Sequence, residues 1–280
     1  MRQSHRNVRR HGGTAVLWGI SFLLVAFALL LMTSCDNAKA VAAMADFLQP
    51  KACPATPAGG KTLLPEEPAA DALPGQAAPV PEVELQLQNP ELPNGCEVTS
   101  LAMVLSAQGY PADKVALAET SLPREEFWYD DTGMRHGPDP DTAYAGDPAS
   151  QTGGWYCLEG PIVEAANDWI AANGGGASAY VLTGMTRDTL DALAQAGTPL
   201  VVWVTREYAP VEYADYFAWQ LPDGSNYTPY NNLHCVVLAG EQDGMYRIAD
   251  PLNGWQQVDP ETFWQSFSAM GCRAVAINPD

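Results

Sequence analysis

An uncharged apolar segment near the N-terminus divides this chain into a part suited to a membrane and a part that must fold outside it. Residues 14–34 contain no charged side chain and show no polar face. A helix rises about 1.5 Å per residue, so this segment can just span a hydrocarbon layer of roughly 30 Å. Four arginines and no acidic residue precede it. The positive-inside rule therefore places residues 1–13 in the cytoplasm and the chain after Ser34 on the extracytoplasmic side of the cell membrane.

The same segment is consistent with an uncleaved transmembrane anchor or with a cleaved export signal. Residues 32–35, Met-Thr-Ser-Cys, resemble the box at which bacterial lipoproteins are processed, so Cys35 is a possible lipidation site. Residues 35–81 are dominated by alanine and proline and have no helical or strand periodicity, as is typical of an extended tether. Under either alternative, the tether links the membrane to a domain predicted over residues 82–280.

The composition argues for a folded domain and against binding to nucleic acid. Of the 280 residues, 47% are hydrophobic and 17% are charged, which supplies a core and excludes a wholly disordered chain. From residue 36 onward the chain carries ten basic and 33 acidic side chains, a net charge of −23. Nucleic acid is not an expected partner, because phosphates require a basic surface. Nothing in the sequence indicates the oligomeric state.

Within residues 82–280, the first half shows helical spacing and the second half mostly strand patterns. Helices are predicted over residues 97–108, 112–119, 161–173, 186–196 and 260–270. Strands are predicted over residues 199–205, 234–240, 245–250 and 272–278. Residues 123–160 are rich in Gly, Pro and Asp and predict a long loop region. Helices followed by an antiparallel sheet predict the α+β class.

The strongest local signal for chemistry is a cysteine, Cys96, placed where a loop enters a helix. Unpaired N–H groups and the positive end of the helix dipole lie at such a position. Both are expected to lower the pKa of the thiol and to favour the nucleophilic thiolate. Gly95, directly before it, lets the backbone pass close to a substrate. The alternative is that Cys96 is only a small buried residue.

A nucleophilic cysteine needs a base, and the predicted domain contains two histidines. His136 lies in the predicted loop region and is expected to be solvated. His234 opens an apolar strand, and Asp250 ends the next strand, so a hairpin would bring the two side chains together. The Asp250 carboxylate would then fix the tautomer of the His234 ring and stabilise its protonated form. Taken singly, His234 fits a structural histidine equally well, and Asp250 fits a turn residue before proline.

Other kinds of site have weaker support in the sequence. No paired Cys-x-x-Cys or His pair has the spacing of metal ligands, and no glycine-rich phosphate loop follows a strand, so no metal and no cofactor is predicted. Ser100 as a nucleophile would lie inside the helix and not at its tip. The pairing of Cys53, Cys157, Cys235 and Cys272 is open, with a Cys157 bridge to Cys235 or Cys272 as an example.

Two segments together carry a resemblance to a known family. Residues 87–105, LQNPELPNGCEVTSLAMVL, resemble the nucleophile segment of the bacteriocin-processing (double-glycine leader) peptidases, cysteine-peptidase family thirty-nine. Residues 234–240, HCVVLAG, and 248–254, IADPLNG, resemble that family's histidine and aspartate blocks. The resemblance covers residues 85–278 and is closest to the stand-alone, exported branch, because the chain shows no ATP-binding motif.

The resemblance implies a papain-like cysteine peptidase that acts on a peptide or protein substrate. Cys96 would be the nucleophile, His234 the general base and Asp250 the residue that orients it. The side-chain amide of Gln88 and the backbone N–H of Cys96 would stabilise the oxyanion. Two alternatives stay open: a peptidoglycan amidase or endopeptidase of the cell wall, and a non-catalytic peptide-binding module. The natural substrate, and whether double-glycine leaders are cut, do not follow from the resemblance.

Overall fold

The computed structural model of the protein describes residues 81–279. The predicted cytoplasmic segment 1–13, the apolar segment 14–34 and nearly all of the tether, with Cys35 and Cys53, lie outside these residues. Within the described part, no helix combines the length and the apolar character that a membrane crossing requires.

Helices and strands are interspersed along the described residues, and half of the strands form one large sheet. The helices are α1 (Cys96–Ala107), α2 (Lys114–Thr120), α3 (Glu159–Ala172), α4 (Arg187–Gln195) and α5 (Pro260–Ala269). The strands are β1 (Arg124–Glu125), β2 (Trp128–Tyr129), β3 (Arg135–His136), β4 (Tyr144–Ala145), β5 (Ala177–Leu182), β6 (Leu200–Thr205), β7 (Trp219–Gln220), β8 (Asn226–Tyr227), β9 (Leu233–Gln242), β10 (Met245–Asp250), β11 (Gly254–Val258) and β12 (Ala274–Pro279). Short 3₁₀ turns cover Arg206–Tyr208 and Asp215–Phe217.

Six strands form the central sheet in the order β11-β10-β9-β6-β12-β5, and every neighbouring pair is antiparallel. The central strands β6 and β9 are buried on both faces, which explains why their sequences are continuous apolar runs. Side chains alternate between the faces, so Cys235 and Val237 pack with α1 and α3, whereas Val236 and Leu238 pack with α4 and α5. The predicted α+β class and antiparallel sheet are confirmed.

Side-chain caps mark the starts of α2, α4 and α5. The predicted helix 112–119 begins later, at Lys114, because the Asp113 carboxylate accepts hydrogen bonds from the N–H groups of Val115 and Ala116. Thr186 caps α4, accepting from the N–H of Thr189. Two strands of the central sheet were not predicted: β5, which follows a run of glycines, and β11, whose mostly exposed and half-buried residues carry no apolar pattern.

The predicted loop region over residues 123–160 is mostly turns and irregular chain, but it also contains short strands that were not predicted. This region contains β1 to β4, with β1 paired to β4, and β2 and β3 belonging to a second sheet in the order β2-β3-β7-β8. Strands of two residues are too short to show an alternating pattern. Ring packing supports this sheet: Phe127 lies 5.1 Å from Trp219 and 5.4 Å from Phe217, measured between ring centroids.

His136 differs from its prediction as a solvated residue. Its side chain is only 16% exposed, and its Nε2 lies 3.1 Å from the Asp130 carboxylate. Its ring also stacks on Trp128, with 4.0 Å between the ring centroids. His136 is therefore a structural residue of the small sheet.

Candidate active site

The loop before α1 and the turn after β10 are joined by a backbone hydrogen bond. The N–H of Gln88 donates to the carbonyl of Pro251 at 2.8 Å, directly after Asp250. Helix α1 also packs against β9, where the Ser100 hydroxyl donates to the carbonyl of Cys235 at 3.2 Å. These two contacts bring segments from both halves of the domain to one end of the central sheet.

Cys96 is the first residue of α1, as predicted, and is 9% exposed. Within residues 81–279 its thiol forms a hydrogen bond with Glu97, 3.4 Å from Sγ to Oε2, and none with the His234 ring. Burial raises the pKa of the Cys96 thiol well above its usual range, and the charge of Glu97 raises it further, while the N–H of Cys235 acts in the opposite direction. The prediction that the helix terminus lowers this pKa is wrong, because desolvation outweighs it.

Glu97 is a charged residue type in a position without any exposure. Its Oε2 contacts the Cys96 thiol, and its Oε1 accepts a hydrogen bond from the N–H of Cys157 at 3.2 Å. Burial raises the pKa of Glu97 from 4.5 to about 7, so the carboxyl group titrates near neutral pH. No role was predicted for Glu97 from the sequence. In the sequence, Glu97 stands out only as the single acidic residue of the otherwise uncharged helix α1.

His234 and Asp250 lie together, in agreement with the hairpin prediction. Both are 3% exposed, and Nε2 of His234 lies 2.8 Å from Oδ1 of Asp250. Because an ionised carboxylate only accepts, Nε2 carries the hydrogen, and Nδ1 of a neutral ring is left to accept a proton. The ring is therefore held in the tautomer that a general base requires.

Several donors keep Asp250 ionised. Its carboxylate accepts from the N–H of Leu252 at 2.7 Å, from the Asn253 side chain at 3.0 Å and from the Gln256 side chain at 3.1 Å. Burial pushes the pKa of Asp250 upward, but the hydrogen bond and charge of His234, with these donors, lower it to about 2. Asn253 and Gln256 were missed by the sequence analysis. Asn253 lies in the tight turn after Asp250 that the DPLNG sequence already indicates.

Gln88, predicted to stabilise an oxyanion, is buried beside the start of α1 and is 2% exposed. Its side-chain nitrogen donates to the carbonyl of Pro93 at 2.7 Å, and its side-chain oxygen is buried without a hydrogen-bond partner. One N–H of the amide therefore fixes its orientation and the other remains as a donor. The structure thus places Gln88 in the loop leading to Cys96.

A pocket of about 220 Å³ opens on one side of the histidine pair. Two of its residues, Glu207 and Tyr208, have left-handed backbone conformations with φ of 55° and 56°. Such conformations cost about 1–3 kcal/mol each and collect at functional sites. Cys96 is not among the described residues that line the pocket. Its lining residues are Thr205, Glu207, Tyr208, His234, Asp250, Asn253 and Gln256.

Within the described part of the chain, the other free cysteines and the acidic residues form no metal site. Cys157 and Cys235 are buried free thiols, so the suggested bridge from Cys157 to Cys235 or Cys272 is wrong. Cys157 and Cys235 occupy positions in the apolar core that contains α1, where each behaves as a small hydrophobic residue. Among residues 81–279, no three His, Cys, Asp or Glu side chains lie close enough to share a metal ion.

Comparison with known proteins identifies relatives of the domain that carries this arrangement. A model of the Peptidase_C39 like family matches residues 80–275. The uncharacterized protein YvpB of Bacillus subtilis (strain 168) is 31% identical over 195 residues, 69% of this chain and 72% of the relative. A crystal structure described as a C39-like peptidase from Bacillus anthracis is 29% identical, with a TM-score of 0.60 over 72% of this chain and 96% of that one.

A double glycine motif protease from an AMS/PCAT transporter, solved in complex with its leader peptide, is more distant. It is 16% identical, with a TM-score of 0.40 over 71% of this chain and 94% of that one. The family match and the Bacillus anthracis structure confirm the resemblance inferred from the two motifs and the papain-like fold class. They support a function of the cysteine-peptidase kind. The chain belongs to the Peptidase_C39 like family.

Proposed function

We propose that the domain is a cysteine peptidase that cleaves peptide bonds through Cys96, His234 and Asp250. The observation that carries this proposal is the buried contact of 2.8 Å between His234 and Asp250 at the end of the sheet on which α1 packs. It orients the ring and leaves Nδ1 free to take a proton from a thiol. The sulfur lies near the backbone N–H of Cys235, the residue that follows His234.

In the proposed reaction, His234 Nδ1 takes the thiol proton of Cys96, and the thiolate attacks the carbonyl carbon of the substrate. The backbone N–H of Cys96 and the free amide N–H of Gln88 would stabilise the oxyanion. As the C–N bond breaks, the imidazolium returns its proton to the leaving amine, and a thioester to Cys96 remains. Water then hydrolyses the thioester with His234 as the base again.

The same geometry gives a specific reason to consider a second function, a non-catalytic peptide-binding module. In the structure the Cys96 thiol is buried and donates to Glu97. A family member that kept the fold and lost turnover would tolerate such an arrangement. Thiol labelling of Cys96 separates the two functions, because a nucleophilic cysteine reacts faster than an ordinary buried one.

The decisive experiment is hydrolysis of a peptide library by the full-length protein, with purified peptidoglycan as a parallel substrate. Cys96→Ala should abolish cleavage while the circular dichroism spectrum stays that of the wild type, because the covalent nucleophile is lost. Cys157→Ala removes a neighbouring buried thiol and is the matched control. Wild-type rates in the Cys96→Ala protein would overturn the assignment. Cleavage confined to peptidoglycan would redirect it to a cell-wall enzyme.

We also propose that the domain faces the extracytoplasmic side and is attached to the cell membrane by its N-terminal segment. The charge asymmetry around residues 14–34 supports this orientation. Protease added to intact cells should release a fragment that begins within residues 36–81, since exposed Pro/Ala-rich chain is readily nicked. Cleavage seen only after lysis would contradict the orientation. Incorporation of a palmitate analogue, absent in Cys35→Ala, would show lipidation.

A further inference from the structure

The carboxyl group of Glu97 has an unusual position for an ionisable side chain. It is fully buried and contacts the sulfur of the proposed nucleophile at 3.4 Å through Oε2. Its other oxygen accepts from the N–H of Cys157 at 3.2 Å, which fixes its orientation. The peptidase mechanism proposed above uses neither oxygen.

The groups that face Glu97 are themselves acids. The thiols of Cys96, Cys157 and Cys235 and the phenol of Tyr144 are electrostatically coupled to Glu97. In that order, these residues lie on α1, before α3, on β9 and on β4. Within residues 81–279 no Lys, Arg or His forms an ion pair with Glu97. A buried cluster of this kind does not hold two negative charges without a large cost.

We propose that Glu97 gates the nucleophile by taking up a proton at the carboxyl group that contacts Cys96. In the closed state, Glu97 is ionised and the thiol S–H donates to Oε2, so the proton stays on sulfur. In the open state, Glu97 has taken up a proton from the solvent and its O–H donates to the thiolate, while His234 has taken the thiol proton. The open state therefore holds one proton more than the closed state, and no bond between heavy atoms changes.

This inference rests on the proposed role of Cys96 and adds a control on when the thiolate forms. Burial places the pKa of Glu97 at about 7, so the gate would respond to pH in the neutral range. A purely structural Glu97 would affect folding stability but would leave the ionisation curve of Cys96 unchanged. The ionisation curve is therefore the measurement that separates the two roles.

The test follows alkylation of Cys96 by iodoacetamide as a function of pH in the full-length protein, with the modified peptide quantified by mass spectrometry. Glu97→Gln keeps the size of the side chain and donates to the thiolate without a charge. We expect its alkylation curve to shift down by at least about one pH unit, or about tenfold faster reaction below the wild-type midpoint. Glu125→Gln, which removes an exposed charge from β1, is the control and should not shift the curve. Coincident curves for Glu97→Gln and the wild type would overturn the gate.

A second measurement keeps the inference testable if Glu97→Gln does not fold. The infrared band of the protonated Glu97 carboxyl group is titrated in the wild type and in Cys96→Ala. The thiol hydrogen bond stabilises the carboxylate, so its removal should move the midpoint of the band to higher pH. An unchanged midpoint would show that the two groups are not coupled. Neither measurement needs turnover, so loss of peptide cleavage alone would overturn the proposed function and not the gate.

Discussion

Two neighbours of Cys96 act on its proton in the structure. Glu97 accepts a hydrogen bond from the thiol, the N–H of Cys235 favours the thiolate, and in the proposed reaction the ring of His234 would receive the proton. Only the last of these belongs to the triad that the motifs indicated. The reactivity of this cysteine is therefore a property of a cluster and does not follow from the helix terminus alone.

The His234–Asp250 pair makes a direct prediction for catalysis. His234→Ala should lower kcat/KM for a cleaved peptide by about 10²–10⁴-fold, because the general base is removed. Asp250→Asn should also lower it, by up to about 10⁴-fold, because the amide no longer fixes the productive tautomer. Asp259→Asn is the control, since its carboxylate caps α5. A wild-type rate in Asp250→Asn would rule out an orienting role for this carboxylate.

Glu97 makes a prediction for stability that is independent of activity. Its pKa is about 7 in the folded protein against 4.5 as the ordinary value, so the folded state holds an extra proton between these pH values. The contribution of this proton to the free energy of unfolding is complete below pH 4.5. It falls by about 3 kcal/mol as pH rises to about 7. Urea unfolding across this range should show the slope in the wild type and a smaller one in Glu97→Gln. Identical slopes would show that Glu97 does not titrate there.

The site residues differ in how visible they were in the sequence. The positions of Cys96, His234 and Asp250 could be predicted because each lies at the end of an element with a clear pattern. Glu97 was overlooked because burial of a carboxyl group depends on the packing of distant segments. Asn253 and Gln256 were overlooked because a hydrogen bond to Asp250 leaves no periodic signal. The prediction of a lowered pKa for the Cys96 thiol was wrong for the same reason, since desolvation is set by tertiary packing.

At the level of elements, α2 supports the loop that carries Gln88. Lys114, the first residue of this helix, donates to the carbonyls of Leu87 and Gln88, the latter at 3.3 Å, and forms an ion pair with Glu91 at 2.8 Å. Its side chain is 13% exposed. This contact links the cap at Asp113, which fixes where α2 begins, to the position of the proposed oxyanion donor.

Lys114→Met should therefore impair catalysis without unfolding the protein. Displacement of a catalytic group by about 1 Å can cost up to about 10²-fold, and we expect kcat to fall by roughly tenfold with little change in KM. Arg187→Met is the matched control, because Arg187 pairs with Asp191 and Glu261 and makes no contact with this loop. Equal effects of both substitutions on kcat would argue against a specific role of Lys114.

The central elements were predictable and the short ones were not. Strands β6 and β9 are buried on both faces and read as apolar runs, whereas β11 contains mostly exposed and half-buried residues. The second sheet consists of two-residue strands, where aromatic contacts and not a pattern of alternation provide the stability. The start of α2 shifted by two residues because the Asp113 side chain caps its first turn.

At the scale of the whole molecule, charge makes a prediction for substrate choice. The chain carries −23 from residue 36 onward, and the exposed Glu207 lines the pocket beside His234. We expect basic peptides to be cleaved faster than acidic ones of matched sequence. As ionic strength rises, the measured kcat/KM should fall for the basic peptide and rise for the acidic one. Salt-independent rates for both peptides would remove long-range electrostatics from substrate selection.

The packing of α1 on β9 also has a consequence for how the protein is made. The Ser100–Cys235 hydrogen bond joins residues 135 positions apart, and the proposed base and nucleophile come from the same two elements. Contacts of such long range form late, because loop closure must precede them. A nascent chain would hold its cysteine without its histidine. Under the proposed peptidase function, the order of synthesis would therefore delay activity until both elements are made, so that the newborn polypeptide does not digest itself.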